Sequence, residues 1–130
     1  SSVDDAAGVV PVLKKLAAQR AGACSGGEQQ QMAVARGIVR RPKVLCIDEL
    51  SMGLAARVVV ELLSGLRALA DEGDTAVLVV EQFVDAVLAV ADRGVVLGGG
   101  RVIRDEPSEQ LLADRAALEA AYLGSAPRRR

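Results

Sequence analysis

From Val59 onward the apolar positions fall at Val59, Leu62, Leu63, Leu66 and Leu69. That is the i, i+3, i+4, i+7 spacing of a helix with one buried stripe, and Gly73 marks its end. A second helix is predicted from Ser25, a residue type that caps helix starts, to about Arg40. Its inner face reads Met32, Ala35, Ile38 and Val39, and Pro42 stops it. Val44 to Ile47 and Thr75 to Val80 are short apolar runs, the composition of parallel strands covered on both faces. Val84, Val87, Leu88 and Ala91 stripe a further helix, while Gly94–Leu97 and Arg101–Arg104 flank three glycines, which predicts a hairpin. Pro11 to Gln19 reads as a short helix with proline in its first turn, ended by Ala21-Gly22. Ser108–Ala113 and Arg115–Tyr122 read as terminal helices closed by Gly124, and Pro127 to Arg130 as a frayed tail. There is no internal repeat. Helices alternate with apolar strands, so the fold class is α/β.

Composition narrows the function. The chain has 130 residues, about one domain. At 51% hydrophobic and 2% aromatic, it can build a core from Val, Leu, Ile and Ala, and it is not a disordered sequence. With 16 Lys+Arg against 17 Asp+Glu the net charge is −1, which lacks the basic excess of a nucleic-acid binder. No apolar run approaches the ~18 residues of a membrane span. Residues 1–8 have neither the basic start nor the apolar stretch of a signal peptide. A chain with 0 histidines has no histidine base or histidine metal site. Cys24 and Cys46 show no Cys-x-x-Cys spacing and are expected to be reduced, partly buried thiols acting as small hydrophobes.

Three features carry chemistry. Cys24-Ser-Gly-Gly-Glu-Gln-Gln30 opens a helix, where small residues let a phosphate reach unpaired amides and the positive dipole end. By itself such a run is more often a plain loop and cap. Val44 to Ile47 ends in Asp48-Glu49, placing carboxylates at the ligand-binding edge of a parallel sheet. An aspartate there can serve Mg2+, and the next carboxylate can take the proton of an attacking water, although taken alone such a pair is more often ordinary solvated charge. Glu81-Gln82 ends the next strand and would lie beside the same edge, or simply begin a loop.

Order and spacing together resemble one family, the ATPase subunit of ABC transporters. Ser25-Gly26-Gly27-Glu28-Gln29 resembles its signature motif, and Val44 to Glu49 its Walker B strand with the magnesium aspartate and catalytic glutamate. Ser51-Met52-Gly53-Leu54 resembles its D-loop, and Gln82 stands at its switch position. Gln82 in place of histidine, the Asp48-Glu49-x-Ser-Met-Gly-Leu-Ala run and Ala121-Tyr-Leu-Gly124 resemble the branched-chain amino-acid importers in particular. The likeness runs from about Pro11 to Gly124.

The resemblance implies a partial P-loop NTPase (RecA-like) core with part of its helical subdomain. Residues 1–42 would form the helical and signature segment, 43–105 the core, and 106–130 terminal helices and tail. Two subunits would sandwich ATP: Ser25, Gly26, Gly27 and Glu28 would meet the ATP held by the partner, Asp48 would hold Mg2+ through water, Glu49 would polarise the attacking water, and Gln82 would touch the γ-phosphate. The implied partners are a second ATPase subunit, identical or related, and transmembrane permease subunits, with the chain peripheral at the cytoplasmic membrane face and no nucleic acid involved. No Gly-x-x-x-x-Gly-Lys-Ser/Thr segment occurs in these residues. The chain therefore resembles a carboxyl-terminal half, with the phosphate loop and the strand feeding it expected upstream. It is expected to lack ATPase activity alone, to expose sheet edges and apolar faces, and to be marginally stable or self-associating. Leu50 where the family has proline, Cys24 for leucine, Ala56 for proline and Gly37 for alanine are departures, the last costing about 1 kcal/mol in a helix. They leave open a second reading, a non-catalytic module or degraded copy that lends its signature helix to an intact partner.

Overall fold

A computed structural model of the chain describes residues 2–124, with side chains placed for 3–120. The tail from Pro127 to Arg130 lies outside the described residues. The chain divides into two compact units between Phe83 and Val84.

The first unit contains helices α1 (Ser2–Val9), α2 (Leu13–Leu16), a 3-10 turn (Ala21–Ala23), α3 (Gly26–Val39), strand β1 (Val44–Asp48), α4 (Ala56–Asp71) and β2 (Ala76–Val80). β1 and β2 pair in parallel, Val44 opposite Ala76 and Asp48 opposite Val80. Parallel neighbours need a crossover, and α4 supplies it. α3 packs on β1 and α4 on β2, while α1 lies against both helices. The core is aliphatic: Ala6, Val9, Val10, Val34, Ala35, Ile38, Leu45, Ile47, Leu50, Val59, Leu62, Leu63 and Leu66 are all buried.

Two glycines set the helix spacings. A Cβ on Gly37 would lie 2.8 Å from Leu45 Cδ1, so α3 closes onto β1 there. A Cβ on Gly65 would lie 2.8 Å from Val9 Cα and 2.9 Å from Val9 O, so α1 and α4 touch backbone to backbone.

Several expectations are corrected. The helix expected over Pro11–Gln19 is reduced to the single turn of α2. The sequence pattern does not predict α1; its Ala6 and Val9, with Val10 just after it, are buried, and Asp5 pairs with Arg41 at 3.0 Å. α3 buries Gln31, Val34, Ala35 and Ile38, whereas Val39 is exposed, because the stripe is turned toward α1 and β1. The strands are not covered on both faces. Leu45 and Ile47 are buried, but Val44, Leu78 and Val80 on the opposite face are 59%, 56% and 56% exposed, since α3 and α4 cover the other side. For the same reason Cys46 is exposed, while Cys24 is buried as expected. The exposed apolar sheet face matches the expectation of an uncovered surface.

In the second unit α5 (Val84–Leu88) precedes the antiparallel strands β3 (Arg93–Gly98) and β4 (Arg101–Pro107), then α6 (Ser108–Ala113) and α7 (Arg115–Gly124). Gly99 and Gly100 turn the hairpin at φ +55° and +76°, the double left-handed step that a two-residue turn matched to strand twist requires. Leu88, Leu111 and Leu118 form its core with Val84 and Val96.

Candidate functional site

α3 begins with a reciprocal cap. The Glu28 amide donates to Ser25 Oγ at 3.3 Å, and the Ser25 amide donates to Glu28 Oε2 at 2.8 Å. These bonds hold the Glu28 carboxyl below its usual range, the bond from the Ser25 backbone contributing most. Ser25 Oγ accepts here, so its own hydroxyl proton is left to donate elsewhere. Gly26 and Gly27 occupy the first helical positions, whose amides have no partner within a helix. Glu28 is a carboxylate engaged in capping its own helix, which makes it a support for Ser25.

At the other end of the site, Asp48 is the last residue of β1, and its exposed carboxylate stands at the strand's carboxyl end. Glu49 follows with a left-handed backbone, φ +52°, rare for a residue with a side chain. Its amide donates to Val80 O at 2.9 Å, which extends the parallel pairing past the strand and fixes it beside the end of β2. Glu81 and Gln82 come directly after β2, so Asp48, Glu49, Glu81 and Gln82 share one sheet edge, where parallel sheets bind ligands. The Gln82 side chain is exposed.

Two contacts tie the helix start to this edge. Gln30 Nε2 donates to Glu49 O at 3.4 Å. A Cβ on Gly27 would lie only 2.9 Å from Gly53 O and 3.2 Å from Leu54 Cδ2, so the helix start abuts the loop that follows the acidic pair. Leu50, which stands where the resemblance expects proline, is fully buried and anchors that loop in the core.

The residues that sequence reasoning left without a role are Gln30 and Glu81. Glu81 accepts hydrogen bonds from the Ser51 amide, from Ser51 Oγ at 2.9 Å and from the Gln82 and Phe83 amides at 2.8 and 3.4 Å. Burial pushes its pKa up, but the bonds from Ser51, Gln82 and Phe83 outweigh this, and the carboxyl ends below its ordinary value. A glutamate at a strand end carries no sequence signal of such a role, because the Ser51 donors come from a loop 30 positions away.

Among the described residues no group of three or more His, Cys, Asp or Glu side chains could hold a metal ion. Asp48 instead offers a single exposed carboxylate. That suits Mg2+, which keeps most of its waters and takes one or two carboxylates besides phosphate oxygens. No helix among the described residues is long and apolar enough to cross a membrane.

Residues 2–52, which hold the helix start and the acidic pair, match the ABC transporter family model. The high-affinity branched-chain amino acid transport ATP-binding protein BraG of Pseudomonas aeruginosa is 40% identical over 114 residues, 88% of this chain and 48% of that protein. The glutamine transport ATP-binding protein GlnQ of Geobacillus stearothermophilus is 37% identical over 90 residues, 69% of this chain and 37% of that one. Among solved structures, CbiO1 of Clostridium perfringens, part of the ABC transporter complex CbiONQ, superposes with a TM-score of 0.73 at 27% identity, covering 98% of this chain and 50% of that one. The chain thus spans about half the length, or less, of the proteins it matches. By these likenesses, the chain belongs to the ATP-binding subunit family of ABC transporters.

Proposed function

We propose that this chain supplies the signature-helix and catalytic-carboxylate half of an ATP-hydrolysing subunit that energises amino-acid import, with branched-chain amino acids as the solute. The observation that carries the reading is the shared edge: Asp48 ends β1, the Glu49 backbone after it is bonded to Val80 and Gln30, and Gln82 follows the end of β2. BraG, 40% identical, supports the branched-chain solute.

In this reading Ser25, Gly26 and Gly27 donate to the γ-phosphate of ATP held by a second ATPase subunit, at a helix start preorganised for anions. Stabilising charge on the transferred phosphoryl group is the main catalytic demand. Glu49 accepts the proton of the attacking water, and Gln82 orients that water or the γ-phosphate as a neutral donor. Mg2+, held through water by Asp48, would neutralise phosphate charge. The partners are a second ATPase subunit and transmembrane permease subunits, with the chain peripheral at the cytoplasmic membrane face.

The test is a fusion of this chain to the phosphate-loop half of BraG. ATP hydrolysis that falls by about 10²–10⁴ in Glu49→Gln is expected, the usual contribution of a general base. A folded fusion whose hydrolysis matches its Glu49→Gln variant overturns the catalytic reading. Leucine uptake restored in Pseudomonas lacking BraG tests the solute; hydrolysis without uptake would move the assignment to another importer.

A further inference from the structure

We propose that Glu81 is the positioning residue for Gln82, clamping the switch segment to the loop at Ser51 so that both sides of the site move as one piece; the role of Gln82 toward nucleotide rests on the function proposed above. One carboxylate gathers donors from two segments: the amide and hydroxyl of Ser51 on one side, the amides of Gln82 and Phe83 on the other. Only an ionised carboxylate has acceptor capacity for this many donors, and bonds to it are charge-assisted. A glutamine in its place would turn an NH₂ group toward an N–H or O–H donor.

The clamp reaches further than its own bonds. Ser51 lies two positions before Gly53, whose carbonyl oxygen faces Gly27 at the limit of close packing. Leu54 N donates to Ser51 O at 3.0 Å and Met52 N to Glu49 O at 3.2 Å, so the loop is a tight hydrogen-bonded turn. A shift of Gln82 is therefore transmitted by Glu81 to Ser51, and through that turn to the start of α3. Gln30, bonded to Glu49 O, closes the circuit on the other side.

Amide hydrogen exchange on the 130-residue chain reads the clamp without any nucleotide. Ser51→Ala removes the hydroxyl bond but keeps the backbone one. It is expected to speed exchange at Gln82 and Phe83 by roughly threefold or more while Leu62 to Leu66 in α4 stay slow. Ser51→Thr restores a hydroxyl and is expected to restore slow exchange. Glu81→Gln should speed exchange at Ser51, Gln82 and Phe83 together. Unchanged exchange at Gln82 in Ser51→Ala overturns the clamp, and so does faster exchange that extends through α4, which marks a stability residue only. In the BraG fusion, Glu81→Gln should lower kcat and leave KM for ATP unchanged; unaltered kcat overturns the positioning role. If the unmutated fusion hydrolyses no ATP, the functional reading fails while the exchange pattern still decides the clamp.

Discussion

A methyl group on Gly27 would sit 2.9 Å from the carbonyl oxygen of Gly53, closer than real side chains approach a backbone oxygen, whereas one on the neighbouring Gly26 would meet nothing within 4 Å. The paired glycines thus do different work. Gly27→Ala is expected to cost about 1–3 kcal/mol in urea unfolding, the range for overpacking against atoms that cannot yield. Gly26→Ala should leave stability unchanged or raise it, because alanine is the better helix former. In the BraG fusion both should lose ATP hydrolysis, Gly26→Ala by crowding the phosphate alone. Equal stability of the two variants would contradict this division.

Gly65→Ala and Gly37→Ala form a second contrast. The new methyl on residue 65 would press on Val9 Cα and O, which are backbone, and should push α1 off α4 at a cost of about 1–3 kcal/mol. The methyl on residue 37 meets only the end of the Leu45 side chain, which can turn aside. Its helix-propensity gain of about 1 kcal/mol should offset that adjustment, leaving the midpoint of unfolding nearly unchanged.

Acid should destabilise the chain in a defined window. Hydrogen bonds from the Ser25 backbone lower the Glu28 pKa, and bonds from Ser51, Gln82 and Phe83, overcoming burial, lower that of Glu81 from an ordinary 4.5. The Arg67 side chain does the same for Asp71, and Arg93 for Asp105, from an ordinary 3.8. Each carboxylate binds its proton more weakly when folded, so their stabilisation is complete above the ordinary values and is lost as pH falls through the folded ones. These groups should leave the urea midpoint flat from pH 7 to about 5 and lower it below 4.5, with Glu81→Gln flattening part of that decline.

The uncovered face of β1 and β2 predicts association. Val44, Leu78 and Val80 are more than half exposed there, and among the described residues each strand of this two-stranded sheet has one unpaired edge. Sedimentation should show concentration-dependent self-association that Leu78→Lys weakens without lowering the unfolding midpoint, since no packing is lost. A monomer at all concentrations would contradict it.

What could be read in advance, and what could not, follows the range of the interactions. The stripe Val59, Leu62, Leu63, Leu66 of α4 is repeated over enough turns to be unambiguous, and all four are buried. The Gly99-Gly100 turn and the Ser25 cap are equally local. α1 escaped because its apolar residues span barely two turns and include Gly8, so only docking on α3 and α4 reveals them. The strand runs were apolar on both faces, and nothing local distinguishes a strand covered twice from one covered once. At the site, Asp48, Glu49 and Ser25 declared themselves by type and position, while Gln30 and Glu81 acquire roles only when the chain brings distant donors and acceptors together.

Under the proposed function, Glu49 sets stability and chemistry against each other. Its left-handed backbone, φ +52°, is one that asparagine or glycine adopts with least strain, and a glutamate there forgoes roughly 1–2 kcal/mol of conformational comfort. Under the proposed function, a glycine or asparagine at position 49 would relax the backbone and remove the base in the same step, so the strain is the cost of a carboxylate at that place.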